Sequence, residues 1–545
     1  MLAAVPAVVA AFAADGCGRS TEHERGTLKL LAKAAGGSLD PHVNYNLQYW
    51  QLYQATYDGL LAFKKAGGNE SFEVVPDLAS GYKIMNGGKT WLFMLRTGIK
   101  FSNGQPVTVK DVVASFRRIF KVKSPTAGGF YGGIVGAQKC LKTPATCTLA
   151  GGVVGNAAKN TVALNLTSPD PELKFKLALP HASILPASSQ ATDAGTKPLP
   201  TTGPYYFASY DPNKRLVMKR NPYFKEWSHD AMPAGYPDVI TETFGLTVEA
   251  QITAIENGQY DWTFEAPPAD RLNELGTRYA NQTHVNTVAA FWFAAMNVNL
   301  APFNNLKARR AVNYAIDRNA LVKIYGGPKL AVPSCQVLPP DFPGYRPYCP
   351  YTKNPGTAWS APDIAKARRL VQQSGQKGAS VTVLTSDDEV NKAMGVYLAG
   401  VLKQIGFQAT ARALSANIFI TYAQNTKNKV QISVRQWYQD YPAASDFLYI
   451  LFGCETFHPG SDSSINIPGF CNKPINRRMH AALKLEETSF PAANKLWAKI
   501  DREVTDQSPM ATLFTPKHID FVSKRVGNFV FSRVFFWLVH QSWVQ

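Results

Sequence analysis

The sequence predicts a multidomain α/β protein with a partly parallel sheet, and three observations carry that prediction. The chain has 545 residues with 45% apolar and 18% charged side chains. That is enough for two to four cores at roughly 150 residues each, and it excludes disordered, collagen-like and coiled-coil classes. Second, Val381–Thr385, Val390–Gln404 and Phe407–Ala413 read as strand, helix and strand, the pattern of a parallel crossover. Third, no internal repeat and no low-complexity linker interrupts the chain, so its domains are expected to be built from discontinuous segments.

Taken in order, Leu28–Ala34 is expected as a short strand, followed by a loop at Gly36-Gly-Ser-Leu-Asp-Pro41. Gln48–Leu61 reads as a helix broken by the Asp58-Gly59 turn. Trp91–Leu95 is a strand after the turn Asn86-Gly-Gly88, and Thr108-Val-Lys-Asp111 is a capping box opening an amphipathic helix. Ser124–Gly155 is Gly-rich and is expected as a surface excursion. Leu306–Ile324 is helical with a break near Asp317, and Pro362 opens a helix that stops at Gly375.

The net charge of +18 comes from a shortage of acids, 39 Asp plus Glu against 57 Lys plus Arg. No basic run is interleaved with aromatics, so nucleic acid is not an expected partner. Residues Met1 to Ala14 are uncharged. They are too few to cross a bilayer at about 20 residues per span, but they fit the apolar region of a signal peptide. Cys17 follows a small residue in a context that resembles a bacterial lipobox, which makes it the candidate lipid-bearing residue. The other six cysteines fall into sequence-local couples: Cys140 with Cys147, Cys335 with Cys349, and Cys454 with Cys471. None has thiolate-zinc spacing, and in an exported chain they read as three disulfides closing short loops.

Screens for catalytic chemistry come back empty. Gly88-Lys89-Thr90 ends like a phosphate loop, but its first Gly would have to sit at Lys83. His23-Glu24 has no partner histidine at position 27, and no nucleophile elbow or dinucleotide glycine motif occurs. His181 and His458 each lie beside Pro and read as loop residues. No enzyme activity, metal or cofactor is expected.

Four blocks together resemble the extracytoplasmic solute-binding proteins that serve oligopeptide and dipeptide ABC importers, the family 5 solute-binding proteins. They are Ser38-Leu-Asp-Pro41 with Tyr57-Asp-Gly-Leu60; Asn86–Arg96, Phe101-Ser-Asn-Gly104 and Asp111–Phe116; Thr202-Gly-Pro-Tyr205 with Arg220-Asn-Pro-Tyr223; and Ala301-Pro-Phe303 with Arg309–Asp317. The resemblance spans about residues 28 to 530. It implies a two-lobed, class II periplasmic-binding-protein-like fold with an additional third domain. On that division residues 1–26 are leader and tether, 27–71, 199–292 and 508–545 form lobe I, 72–198 its extra domain, and 293–507 lobe II.

It also implies a ligand enclosed by lobe closure. In peptide binders of the family an Asp three residues after a Trp pairs with the peptide's α-amino group, and Trp437-Tyr438-Gln439-Asp440 occupies that place. The other reading of Asp440 is a turn cap before Pro442. Asp446 is expected to cap or solvate the next segment. Asn46, Leu47 and Gln48 are expected to line the pocket. The implied function is a monomeric lipoprotein on the outer face of the cell membrane, passing an oligopeptide to the permease subunits of an ABC importer. A sugar or other non-peptide solute, or a role as ligand-presenting receptor, is the alternative.

Overall fold

The computed structural model describes residues 25–545 apart from Ala269 and Ser463. Three sheets organise it. The first has five strands in the order Trp262–Thr263, Thr27–Ala32, Val239–Phe244, Arg215–Arg220 and Tyr205–Asp211. Thr27–Ala32 is parallel to both neighbours, and the two strands beyond Val239–Phe244 pair antiparallel. The second is a four-stranded antiparallel sheet, Ala79–Met85, Thr90–Leu95, Thr161–Asn165 and Val153–Asn156, with the helix Val109–Lys121 against it. These two sheets share one continuous core.

The third sheet has seven strands. Its path runs Thr283–Thr287, Met510–Phe521, Ala290–Met296, Ile432–Tyr438, Ser380–Ser386 and Gln408–Leu414, with Ala331–Pro333 pairing to the side of Met510–Phe521. The expected crossover is present: Ser380–Ser386 and Gln408–Leu414 pair in parallel register, joined by the helix Glu389–Ile405. Asp388 caps that helix by accepting from the Asn391 amide, and Gly406 ends it at φ 111°, a conformation that favours glycine. Ala290–Met296 is apolar at every position because helices cover both faces of this sheet.

Three expectations change. The helix expected over Gln48–Leu61 ends at Tyr53, and Leu61 begins a strand paired with Val74–Pro76. Residues 55 to 58 leave the helix because their carbonyls are taken elsewhere: Ala55 by the Tyr205 amide, Thr56 by Thr202 and Gly203, Asp58 by Ile184. The Gly-rich stretch 124–155 is less superficial than expected, since Tyr131, Ile134, Cys140 and Cys147 are buried in the shared core. Third, Met510–Phe521, grouped with lobe I from sequence, hydrogen-bonds into the seven-stranded sheet. It also reaches the first sheet, through a bridge between Val522 and Trp262 and a 2.9 Å bond from the Trp262 indole to Asp520. A twelve-residue strand is long enough to belong to both halves.

The three cysteine couples are bonded as their spacing suggests. Cys140 joins Cys147 with a Cα separation of 4.5 Å, Cys335 joins Cys349 at 4.9 Å, and Cys454 joins Cys471 at 4.6 Å. Cys147 and Cys349 are buried with their loops, whereas Cys471 is exposed just ahead of the helix Lys473–Glu486. Each bond closes a loop of under twenty residues, the range in which a crosslink stabilises by about 2–4 kcal/mol in the chain-entropy account. Cys17 and the uncharged leader lie outside the described residues.

Candidate functional site

The two halves meet around the segment after the strand Ile432–Tyr438. That strand runs parallel to Ser380–Ser386, so the segment leaves the carboxyl end of parallel strands, where open α/β sheets present their ligand crevices. Gln439 is fixed by its amide bond to the Ala289 carbonyl (2.9 Å) and by its side chain, which donates to the Arg533 carbonyl. Tyr441 then inserts into the core of the first half, stacking on Phe175 with ring centroids 6.0 Å apart. Between these two anchors sits Asp440.

Asp440 faces Tyr45 of the first half, whose hydroxyl donates to its carboxylate. Among the described residues no Lys, Arg or His forms an ion pair with Asp440. Burial between the two halves raises its pKa to about 6, and the Tyr45 hydrogen bond opposes that rise only in part. The Asp440 amide donates to Asp446 at 2.9 Å. Asp446 is therefore neither solvated nor a simple cap. It is fully buried in the first turn of the helix Ser445–Phe452, and burial plus the nearby Asp440 charge push its pKa well up.

Tyr45 is aimed by its neighbours. The Asn44 side chain donates to the carbonyls of Gly36 (2.9 Å) and Ser38 (2.6 Å), which folds the Gly-Gly-Ser-Leu-Asp-Pro loop back on itself. On the other side Asn46 caps the helix Leu47–Tyr53 by accepting from the Gln48 amide. The Tyr45 ring lies 5.3 Å from Trp50 and 5.4 Å from His181. The loop itself is anchored from below: Asp40 and Arg118 form an ion pair inside the core, and His42 bonds the Ser183 carbonyl at 2.8 Å. Burial and the Arg118 charge hold His42 down at about 4, so it is neutral. This Asp–His–Arg group is sealed and structural.

A second contact crosses the same seam. Glu172, which precedes the helix Leu173–Leu177 of the first half, accepts from the Tyr441 hydroxyl (3.1 Å) and from the Ser445 hydroxyl.

Of the residues expected to line a pocket, Asp440 is at the seam and Trp437 is half-buried against the apolar cluster beneath it. Tyr438 is 38% exposed and turned to the opposite face, edge-on to Trp292. Asn46 is exposed but occupied as a helix cap, and Leu47 packs toward Phe529 and Phe531. Gln48 points into the first half, donating to Ala34 and to Glu242 at 3.1 Å each. The residue that reaches across is Tyr45, one position before the expected trio, and its signal was the asparagine on either side. Glu172 had no sequence signal. Among the described residues no group of three or more His, Cys, Asp or Glu is placed to hold a metal, and no helix is long and apolar enough to cross a membrane.

Residues 73–458 match the family described as bacterial extracellular solute-binding proteins, family 5 Middle. Over 97% of its length the chain is 24% identical to the periplasmic oligopeptide-binding protein OppA of Salmonella typhimurium, covering 94% of that protein. Its fold matches the clavulanic acid biosynthesis oligopeptide binding protein 2 with a TM-score of 0.85 at 23% identity, over 96% of each chain. It also matches the periplasmic binding protein AgaA of A. tumefacien R10, in complex with agropinic acid, with a TM-score of 0.73 at 19% identity, over 95% of this chain and 99% of that one. The halves described above are thus the lobes of a two-lobed binding fold, and the chain belongs to the family 5 bacterial extracellular solute-binding proteins.

Proposed function

We propose that this chain captures a short peptide outside the cell for an ABC importer, and that Asp440 takes the peptide's free α-ammonium. The observation that carries this reading is the Asp440 carboxylate at the lobe seam, with a tyrosine hydroxyl as its side-chain partner and, among the described residues, no ion-paired cation. An ammonium leaving water at this point needs a charged acceptor, because an unpaired buried cation costs several kcal/mol. A charge-assisted bond to Asp440 supplies one, and Tyr45 is the group it would displace. The oligopeptide-binding names of the two relatives above support the same ligand class.

The lobe division that accompanies this reading is 27–71, 199–282 and the chain after Phe521 for lobe I, with 72–198 as its extra domain; the strand Thr283–Thr287 and the start of Ala290–Met296, grouped with lobe I from sequence, pair within the seven-stranded sheet of lobe II. Lobe II is 283–509 together with the shared strand Met510–Phe521. The chain acts as a monomer, held at the outer membrane face through lipid on Cys17 and handing ligand to the importer's permease subunits. Cys17→Ala should then release the protein into the medium, and retention of the variant on the membrane would sink the anchoring part.

Native mass spectrometry of the purified protein, followed by calorimetry with alanine tripeptide and its N-acetyl derivative, tests the ligand assignment. The free peptide should bind and the acetylated one should not. Equal binding of both, or a co-purified ligand without an amino group, overturns the role of Asp440. That outcome favours a non-peptide solute. The ring cluster of Tyr45, Trp50 and His181 at the seam gives this second reading its own footing, as does the agropinic acid complex of the AgaA neighbour.

A further inference from the structure

His181 lies in the short turn Pro180–Ala182 and is wholly buried, yet neither of its ring nitrogens has a hydrogen-bond partner among the described residues. A buried imidazole in this state forgoes the hydrogen bonds that water would give it, which is rare in folded chains and calls for a reason. His42, the neighbouring imidazole in the core, is no partner. One of its nitrogens bonds the Ser183 carbonyl at 2.8 Å, and the other lies 3.2 Å from the Arg118 guanidinium. Burial holds the His181 pKa down at about 3, so its ring is neutral, with one nitrogen a donor and the other an acceptor.

Two aromatic rings pack on His181. Trp50 meets it edge-on with centroids 5.5 Å apart, and Tyr45 lies tilted against it at 5.4 Å. Trp50 is held in place, buried and with its indole donating to the Asn44 carbonyl at 3.1 Å. Tyr45 is half exposed, and its hydroxyl bonds across the seam to Asp440. Of the two rings, Tyr45 is the one free to leave, and the bond that holds it is the one an arriving ammonium would take.

We propose that Tyr45 is a gate over a second ligand subsite, in which the His181 imidazole takes a neutral polar side chain, a hydroxyl or a carboxamide, from the residue that carries the ligand's ammonium. This rests on the peptide reading above. The class follows from the ring itself: a neutral imidazole offers one N–H and one lone pair, and hydroxyl and carboxamide groups can answer both. A carboxylate could use only the N–H and an ammonium only the lone pair, and either would enter a wall of rings without a counter-ion. The place follows from Tyr45, whose ring touches His181 while its hydroxyl reaches Asp440, so one side chain spans the two. A first residue with its ammonium on Asp440 can lay its own side chain where the Tyr45 ring stands.

Two measurements test this. The first needs no ligand. Labelling with diethyl pyrocarbonate, read by peptide mapping, should leave His181 unmodified in the wild type and modify it in Tyr45→Ala; equal labelling of the two proteins would overturn the gate. The second is calorimetry with alanine tripeptide, seryl-alanyl-alanine and asparaginyl-alanyl-alanine. The wild type should bind the two polar peptides about fivefold more tightly than the alanine one, the gain of one net hydrogen bond. His181→Phe keeps a ring, removes both nitrogens and should abolish that preference; should it fail to fold, His181→Leu removes the same two atoms. No preference in the wild type, or a preference that survives loss of the nitrogens, would overturn the subsite. If none of the three peptides binds, the peptide reading falls and the group assigned to His181 falls with it, while the labelling still decides the gate. If N-acetylated alanine tripeptide binds as well as the free form, Asp440 loses its role, and the ratio among the three peptides still decides the subsite.

Discussion

The lobe seam carries two carboxylate contacts, and they differ in what completes them. Asp440 meets one tyrosine hydroxyl, Tyr45, whose own side chain is half exposed. Glu172 meets two hydroxyls inside a buried interface walled by Phe130, Phe175 and Phe490. Burial raises the pKa at both places, yet the consequences are opposite. A raised acid at a wet edge can be ionised again by an arriving cation. A raised acid in a sealed cluster is out of a ligand's reach and serves its hydroxyl partners. One contact is therefore suited to a ligand's charge and the other to closure itself.

The largest effect expected from breaking this contrast is at Asp440. Asp440→Asn keeps the shape and removes the charge, so affinity for alanine tripeptide should fall by about 2–5 kcal/mol, much of it the cost of an orphaned ammonium. Calorimetry reads this directly, and unchanged affinity would move the ligand away from Asp440. At the sealed end the loss should appear in stability instead. Tyr441→Phe leaves one oxygen of a buried carboxyl short of a donor and should cost about 1–3 kcal/mol in urea unfolding, with Ser445→Ala in the same range.

The pH dependence sharpens the comparison further. Asp440 must be ionised to hold an ammonium, so peptide affinity should weaken as pH falls through about 6. The peptide's own amine loses its proton above roughly 8, so affinity should also weaken on the alkaline side. Asp440→Asn should flatten the acid limb and leave the alkaline limb unchanged. The smallest effect belongs to Tyr45→Phe. It removes the hydroxyl that competes for Asp440, so peptide affinity should rise several-fold, about 1 kcal/mol, while a fall would show that Tyr45 holds ligand rather than competing with it.

What was legible along the chain followed from local chemistry. The capping box at Thr108 and Asp111 forms, with the Asp111 carboxylate accepting from the Thr108 amide at 2.8 Å. The crossover around Glu389–Ile405 and the break at Asp317 likewise rest on caps and periodicity within a few residues. Cys147, Cys349 and Cys471 each find the cysteine nearest before them in the chain, so their pairing could be read from spacing alone. Asp440 was legible only through the motif that precedes it. Other features depended on partners far away in sequence: the early end of the helix at Tyr53 on residues 184 and 202 to 205, and the inward turn of Gln48 on Glu242.

The sequence by itself determined the α/β class, the capped helix starts, the three cysteine couples and the family, because each is written in spacing or in short-range hydrogen bonding. Only the tertiary structure decided that Tyr45 faces Asp440, 395 positions away, and that Glu172 meets Ser445 at a separation of 273. It also decided that Met510–Phe521 serves both halves. A carboxylate's environment is set by what the folded chain brings around it, and burial, the largest influence on Asp440, Glu172 and Glu486 alike, has no counterpart in the local sequence.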